Sequence, residues 1–318
     1  MFRGRTEGRS LRVGTRIVRL SVSSSLDSPK WLVPVRMPAG HWNRTASSCM
    51  TSDSEARRED PPQNPLGGKT LIVDWQDPAF YPRPSAALKE AGELDQVFVR
   101  PGIYEDKVFV ADRPVFLIGA GRDAVQIFSR RGGPLYLQRV SGGRISGMTF
   151  RYIGSDQHSA MNILDSSCTV TQCRAMESIL SGVVIYGPEC RVAFIDNEVT
   201  GNRESGIFVF AGAHPRLADN VCCANHHFGI AVRDPGSHPE LVRNRCTDNW
   251  LSGMLMFHHA EGLLVDNVCA DNRHWGIVMT PETRLSPTRE TLAQANVLVP
   301  NPRGAMHVTE TPLSEIGR

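Results

Sequence analysis

The stretch Asp196-Asn197-Glu198-Val199-Thr200-Gly201-Asn202-Arg203-Glu204-Ser205-Gly206-Ile207-Phe208-Val209 returns three more times before Pro281. Its first asparagine recurs as Asn220, Asn244 and Asn267, and its second as Asn225, Asn249 and Asn272. The glycine recurs as Gly229, Gly253 and Gly276, each followed by an aliphatic residue (Ile207, Ile230, Met254, Ile277) and, two further on, another (Val209, Val232, Met256, Met279). Three residues before the first asparagines stand Phe194, Leu217, Leu241 and Leu264. Columns that keep register at steps of 23–24 residues signify a solenoid. A turn this short cannot hold a strand, a crossover helix and a second strand, which need about 30 residues. Each turn is therefore expected to be a coil of short strands, stacked on the next at about 4.8 Å.

The columns carry a physical reading. Aliphatic residues alternating along Gly-Ile-x-Val point inward and stack on their copies. Asparagine ladders at the corners let side-chain amides bond above and below, pairing turn backbone that strands cannot reach. The glycine grants a backbone conformation or a close approach that a Cβ would obstruct. Val199, Cys222, Cys246 and Cys269 share one column, so these thiols are read as core and not as metal ligands or a redox pair. The eight cysteines form no pair of CxxC knuckles, and no metal site is expected.

Less regular turns precede the repeat, one at Gln172, Cys173, Gly182, Val183 and Ile185, another at Ile145, Met148, Phe150, Met161 and Ile163. Further upstream come strands at Leu71–Val73, 94–99, Val108–Val110 and Val115–Ile118, with a helix over Pro84–Ala91 whose Ala87, Leu88 and Ala91 share a face. A solenoid needs its first rung covered, and this helix is a suitable cap. Residues 69–121 are thus read as a cap, about 140–281 as regular repeats, and 282–318 as one more imperfect turn (around Val297-Leu298-Val299 and Asn301) or a C-terminal cap, Ser286-Pro287 starting a short helix. The β-helix domain as a whole spans 66–318.

The order of helix, Val97-Phe98-Val99-Arg100-Pro101-Gly102-Ile103-Tyr104-Glu105, strand and Leu117-Ile118-Gly119-Ala120-Gly121 resembles the entry into pectin-lyase-like β-helices, including pectin methylesterases. No counterparts of the methylesterase catalytic aspartates, with their glutamine and tryptophan motifs, are present, so the resemblance implies architecture and not esterase activity. The repeat of residues 140–281 is similar to the β-helix repeats of F-box proteins and of bacterial right-handed β-helix proteins. It implies an all-β, single-stranded right-handed parallel β-helix. F-box β-helices are thought to present substrates to a ubiquitin ligase, but no F-box-like helical region precedes the repeats here.

Residues 1–65 differ from the rest. Six arginines (Arg3, Arg5, Arg9, Arg12, Arg16, Arg19) with Glu7 as the sole acid, then serines at 21 and 23–25, suit a disordered tail, an upstream start or an organelle transit peptide. The run from Ser52 to Pro65 reads as a linker. The expected location is the cytoplasm, or an organelle if residues 1–25 are a transit peptide. A net charge of +2 lacks the basic excess of a nucleic-acid binder, and no apolar run reaches 18 residues, so neither nucleic acid nor membrane is an expected partner. Gly119-Ala120-Gly121 lacks the third glycine of a dinucleotide fingerprint, and no cofactor is expected. Asn43-Arg44-Thr45 matches a glycosylation acceptor.

Alternation places Phe208, Ala231, Leu255 and Val278 outward, with Tyr186, Phe210, Arg233, Phe257 and Thr280 two residues further along. A solvated strand face should be polar here, and an apolar, aromatic one points to interaction. With Trp275 just before the glycine column, these residues form the expected binding face, for a protein partner, a second copy or a glycan. A cover by the N-terminal region or by 282–318 is the competing reading. The alternative function is a carbohydrate-active enzyme (polysaccharide lyase, epimerase or glycosidase) acting on a polyuronate or other polysaccharide, with Arg233, Asp234, His258 and His259 as its catalytic candidates. Asp234-Pro235-Gly236-Ser237-His238 is distantly similar to the Asp-Pro-His stretch of mannuronan epimerases, interrupted by Gly-Ser. Asp196 and Asp219, one turn apart, would approach the roughly 5–5.5 Å of a retaining carboxylate pair. Arg243 in the same column favours a surface charge ladder instead.

Overall fold

The computed structural model describes residues 60–310. The arginine-rich start, the serine cluster, Asn43-Arg44-Thr45, Cys49 and the last eight residues lie outside the described residues.

Each turn of the chain lays down one short strand on each of three parallel sheets. Sheet A has ten strands, sheet B eight and sheet C nine. In one turn Ile207–Phe210 lies in sheet C, Arg216–Ala218 in sheet A and Val221–Cys223 in sheet B, after which Ile230–Arg233 returns to sheet C. The register is that of the sequence columns: Ile207 pairs with Ile230, Ile230 with Met254, and Met254 with Ile277. All four side chains are fully buried, as are Val199, Cys222, Cys246 and Cys269 opposite them. Each large aliphatic side chain buried this way contributes about 1.5–3 kcal/mol against the entropy of ordering the coil. Burial also pushes the Cys246 thiol far above the ordinary thiol range, as expected of a core position.

Both asparagine ladders are present and buried. Asn220 Oδ1 accepts from the backbone N–H of Asn197 (3.0 Å) and from its Nδ2 (3.2 Å). Asn220 Nδ2 in turn donates to Phe194 O (2.8 Å) and to Asn244 Oδ1 (2.9 Å). The second ladder repeats this through Asn202, Asn225, Asn249 and Asn272. Both run one rung beyond the repeat, to Asn296 and Asn301. At the other end Cys173 N donates to Asn197 Oδ1 and Ser178 N to Asn202 Oδ1, so the ladders begin there on backbone. The glycine column answers a close approach. A Cβ on Gly229 would stand 2.7 Å from Cys246 Cβ, and one on Gly253 2.6 Å from Cys269 Cβ. The residue before each first asparagine (Asp196, Asp219, Arg243, Asp266) has φ between 53° and 57°, a left-handed conformation that aspartate tolerates better than most.

Helix α1 (Pro84–Glu90) covers the N-terminal end with Ala87 and Leu88 buried and Ala91 packed on the core. The coil starts earlier than the repeat suggests. Gln96–Val99, Gly102–Glu105 and Val108–Ala111 already form a full turn through sheets A, B and C, within the stretch read as a cap. The end of the linker is anchored too, Gln96 Nε2 donating to Pro62 O and Asn64 Nδ2 to Leu94 O, each at 2.9 Å. At the far end residues 282–310 make another turn. Arg284–Ser286 joins sheet A, Val297 bridges to Val268 beside sheet B, and Gly304–Val308 joins sheet C, with a short helix α2 (Arg289–Leu292) between. Among the described residues no helix is long and apolar enough to cross a membrane.

Candidate binding face on sheet C

Parallel register carries one outward row along the whole of sheet C: Phe109, Tyr136, Asn162, Val184, Phe208, Ala231, Leu255, Val278 and His307. The next outward row holds Leu164, Tyr186, Phe210, Arg233 and Phe257. Tyr186 and Phe210 stack with centroids 5.3 Å apart and planes within 4°. Phe208 tilts against Phe210 at 5.1 Å, and the Arg233 guanidinium lies 5.2 Å and 5.0 Å from the two phenylalanine centroids. This is a cation–π cluster, attractive because the guanidinium meets the electron-rich ring faces. Arg233 Nε is buried and makes no hydrogen bond among the described residues, with Asp234 Oδ2 3.5 Å away.

Exposure along these rows is graded. Phe109 is 60% exposed; Tyr136, Val184, Tyr186 and Phe208 are half-buried. Phe210 (8%), Leu255 (2%) and Phe257 (1%) are buried, as are Ala231 and Val278. The C-terminal part of the face is therefore not the open patch that alternation suggests. Residues 282–310 do not lie across it as a strap, because they continue the coil. Trp275 opens the sheet C strand Trp275–Met279, and its ring stacks on His307 (4.7 Å, 10°), the partner of Val278 in the outward row, several turns from the Tyr186–Phe210–Arg233 cluster.

Of the four catalytic candidates, Arg233 and Asp234 stand beside Phe257 and His258 on adjacent turns, with Arg233 Nε 3.5 Å from Asp234 Oδ2. Asp112, Arg139, Asp165, Ala211, Asp234 and His258 occupy one column, directly after the sheet C strands, and all have positive φ. His259 has positive φ as well. Aspartate and histidine are enriched in that conformation, which accounts for Asp234, His258 and His259 without chemistry. Asp234 Oδ2 accepts from Ala211 N at 3.2 Å. The His258 ring packs on Phe257 at 4.9 Å, while His259 lines a cleft of about 380 Å³ with Pro235, Gly236, Glu261, Glu282 and Arg284. The aspartate column fares likewise. Arg243 binds both oxygens of Asp219 at 2.7 and 2.8 Å and holds that carboxyl below the usual range. Gly121 N donates to Gly147 O in a corner that leads into the strand Val125–Ser129, not into a phosphate-facing helix. Among the described residues no three His, Cys, Asp or Glu side chains are grouped as a metal would require.

Two groups at the rim of the face escaped sequence reasoning. Glu204 and His227 stand on successive corners between sheets B and C, just before the strands of Phe208 and Arg233, and His227 N donates to Glu204 O at 3.1 Å. Burial pushes the Glu204 carboxyl up to about 7, against the opposing bond from Ser181 Oγ at 3.5 Å. Burial, reinforced by His226, takes His227 down to about 4. A carboxyl and an imidazole that are both largely neutral near pH 6 can donate and accept hydrogen bonds without charge. Phe109 and Tyr136 were also missed, since the early turns depart from the 23–24-residue step. Their signal was the alternation in Val108-Phe109-Val110 and Leu135-Tyr136-Leu137.

The model of the right handed beta helix region matches residues 159–311. Among solved structures, pectin methylesterase PemA from Erwinia chrysanthemi superposes with a TM-score of 0.52 at 9% identity, over 79% of this chain and 96% of that one. At that identity the likeness is one of fold alone. More distant are the A-module of mannuronan C-5 epimerase AlgE6 from Azotobacter vinelandii (TM-score 0.46, 15% identity, 71% of this chain and 81% of that) and the catalytic domain of a GH87 α-1,3-glucanase in complex with nigerose (0.39, 16%, 70% and 47%). No curated protein matches the sequence. Coil and family match together define a right-handed parallel β-helix. Its residues 159–311 carry the likeness to the right handed beta helix region, and its coil shares the fold of the methylesterase.

Proposed function

We propose that the protein is a binding β-helix whose N-terminal half of sheet C holds a glycan chain along the coil axis. The observation that carries this is the run of outward, solvent-reaching Phe109, Tyr136, Asn162, Val184 and Phe208, flanked by Tyr186 and Arg233, on one register-locked sheet. Ring faces and aliphatic edges suit the apolar faces of sugar rings, and Asn162 with Arg233 supplies hydrogen bonds to hydroxyls or carboxylates. Successive side chains recur at about 4.8 Å, so a polymer lying along the axis meets an equivalent contact at each turn. The test is an array of neutral and acidic glycans probed with the full chain and with Tyr136→Ala and Phe208→Ala. Selective retention that both variants lose is the expected result. Retention unchanged in both would refute the assignment.

One observation favours a second reading, a carbohydrate-active enzyme. Glu204, with its carboxyl near 7 at the rim of the same face, could serve as a proton donor. Turnover of any arrayed polysaccharide, abolished by Glu204→Gln with binding retained, would replace the first reading by this one.

A further inference from the structure

A different surface, at the outer edge of the corner between sheets B and C, forms a ladder of its own. The residue after each second asparagine is Arg203, His226, Trp250 and Arg273. His226 stacks on Trp250 (4.9 Å, 21°), and the Arg273 guanidinium lies 3.9 Å from the centroid of the same indole. Arg203 and Arg273 are exposed, His226 and Trp250 half-buried. Burial first, then Arg203 and Arg273, depress the His226 imidazole, so the strip carries its positive charge on the two arginines.

Several arginines of this coil are neutralised by carboxylates. Arg139 pairs with Asp112, Arg174 with Asp123 and Glu198, Arg216 with Glu240, and Arg243 with Asp219. Among the described residues Arg203 and Arg273 have no carboxylate partner, and both lie close enough to His226 to depress it. Trp and Arg packed side by side at a surface are the residue types that dominate interface energetics. The cation–π contact holds the Arg273 guanidinium in place, which lowers the entropy lost when it binds an anion.

We infer that this strip docks an extended acidic segment of a partner protein, running along the coil axis with carboxylates four residues apart. Three turns separate the arginines in the column, about 14 Å at 4.8 Å per turn. In an extended chain residues i and i+4 face the same way and lie about 13 Å apart. The residue between them, i+2, falls between the His226 and Trp250 turns. The surface does not include the sheet C rows, so it stands or falls independently of the glycan reading.

The experiment uses the full chain and short synthetic peptides, read by the indole N–H resonance of Trp250, assigned with Trp250→Phe. Asp-Ser-Ser-Ser-Asp is expected to bind about tenfold more tightly than Asn-Ser-Ser-Ser-Asn and several-fold more tightly than Asp-Asp-Ser-Ser-Ser. Arg203→Gln with Arg273→Gln should erase both preferences while leaving the urea unfolding midpoint unchanged. Phe208→Ala should leave peptide binding intact. Equal binding of the two aspartate peptides would overturn the spacing argument. Tighter binding of an acidic oligosaccharide at the Trp250 resonance would overturn the protein partner in favour of a glycan.

Discussion

Replacing Asn220 by alanine tests whether corner amides, and not only strands, hold the coil together. The wild-type side chain donates to Phe194 O and Asn244 Oδ1 and accepts from Asn197 N and Nδ2. Some partners are insured: Asn244 Oδ1 keeps the N–H of Asn220, and Asn197 Nδ2 keeps Val170 O and Ile195 O. The backbone N–H of Asn197 is not, and it is left buried without its acceptor. One orphaned donor costs about 1–3 kcal/mol, and the weakened contacts at Phe194 O and Asn244 Oδ1 add roughly 0.5–1.5 each, so the loss should be about 2–6 kcal/mol. Urea unfolding of the full chain, followed by far-ultraviolet circular dichroism with a check that the slope m is unchanged, measures it. The control is Glu240→Ala, which removes a half-exposed ion pair with Arg216 and should cost under about 1 kcal/mol. Asn220→Asp adds a second reading of the same site. It keeps the acceptor but buries a carboxylate facing Phe194 O, so its pKa rises on folding. Its stability relative to wild type should be best below about pH 4 and fall as pH rises. If Asn220→Ala costs no more than Glu240→Ala, the ladder is ornamental and the reasoning fails.

Gly253→Ala places a methyl 2.6 Å from Cys269 Cβ and 2.7 Å from Gly276 O, so it should destabilise by about 1–3 kcal/mol or more in the same assay, while Gly201→Ala meets only the strain of a positive φ. Glu204 and His227 pull stability in opposite directions with pH. The raised Glu204 carboxyl contributes stability at low pH that is lost between about 4.5 and 7, whereas the depressed His227 contributes stability above about 6.5 that is lost on falling through 4. Relative to wild type, Glu204→Gln should thus gain thermal stability from about pH 4.5 to 7, and His227→Gln should lose it from about pH 4 to 6.5. Parallel profiles for the two variants would contradict the burial argument. Thiol labelling of the native protein should spare Cys222, Cys246 and Cys269, all fully buried, and modify them only after urea unfolds the coil.

The repeat made the coil legible because its core is one-dimensional. A column such as Val199-Cys222-Cys246-Cys269 faces only its own copies and the glycine column, so a single sequence displays the contact. The same logic identified the cysteines as core and the asparagines as ladders. It failed in the early turns, where Phe109 and Tyr136 follow irregular steps, and it placed the first turn too late. It failed differently at the site. Alternation states which way Phe257 or Leu255 points, but not how much water reaches it.

What the sequence determined by itself is therefore the periodic part: parallel strands, inward columns, amide ladders and the row of outward rings, since each depends on residues one turn apart. Only the tertiary structure decided the rest. It showed that Asp234 and His258 occupy left-handed corner positions, that Arg233 spends its charge on two phenylalanine faces, and that Glu204 is buried enough to hold its proton near pH 7. Conformation, desolvation and cation–π geometry are properties of surroundings assembled from several turns at once, and no column of letters contains them.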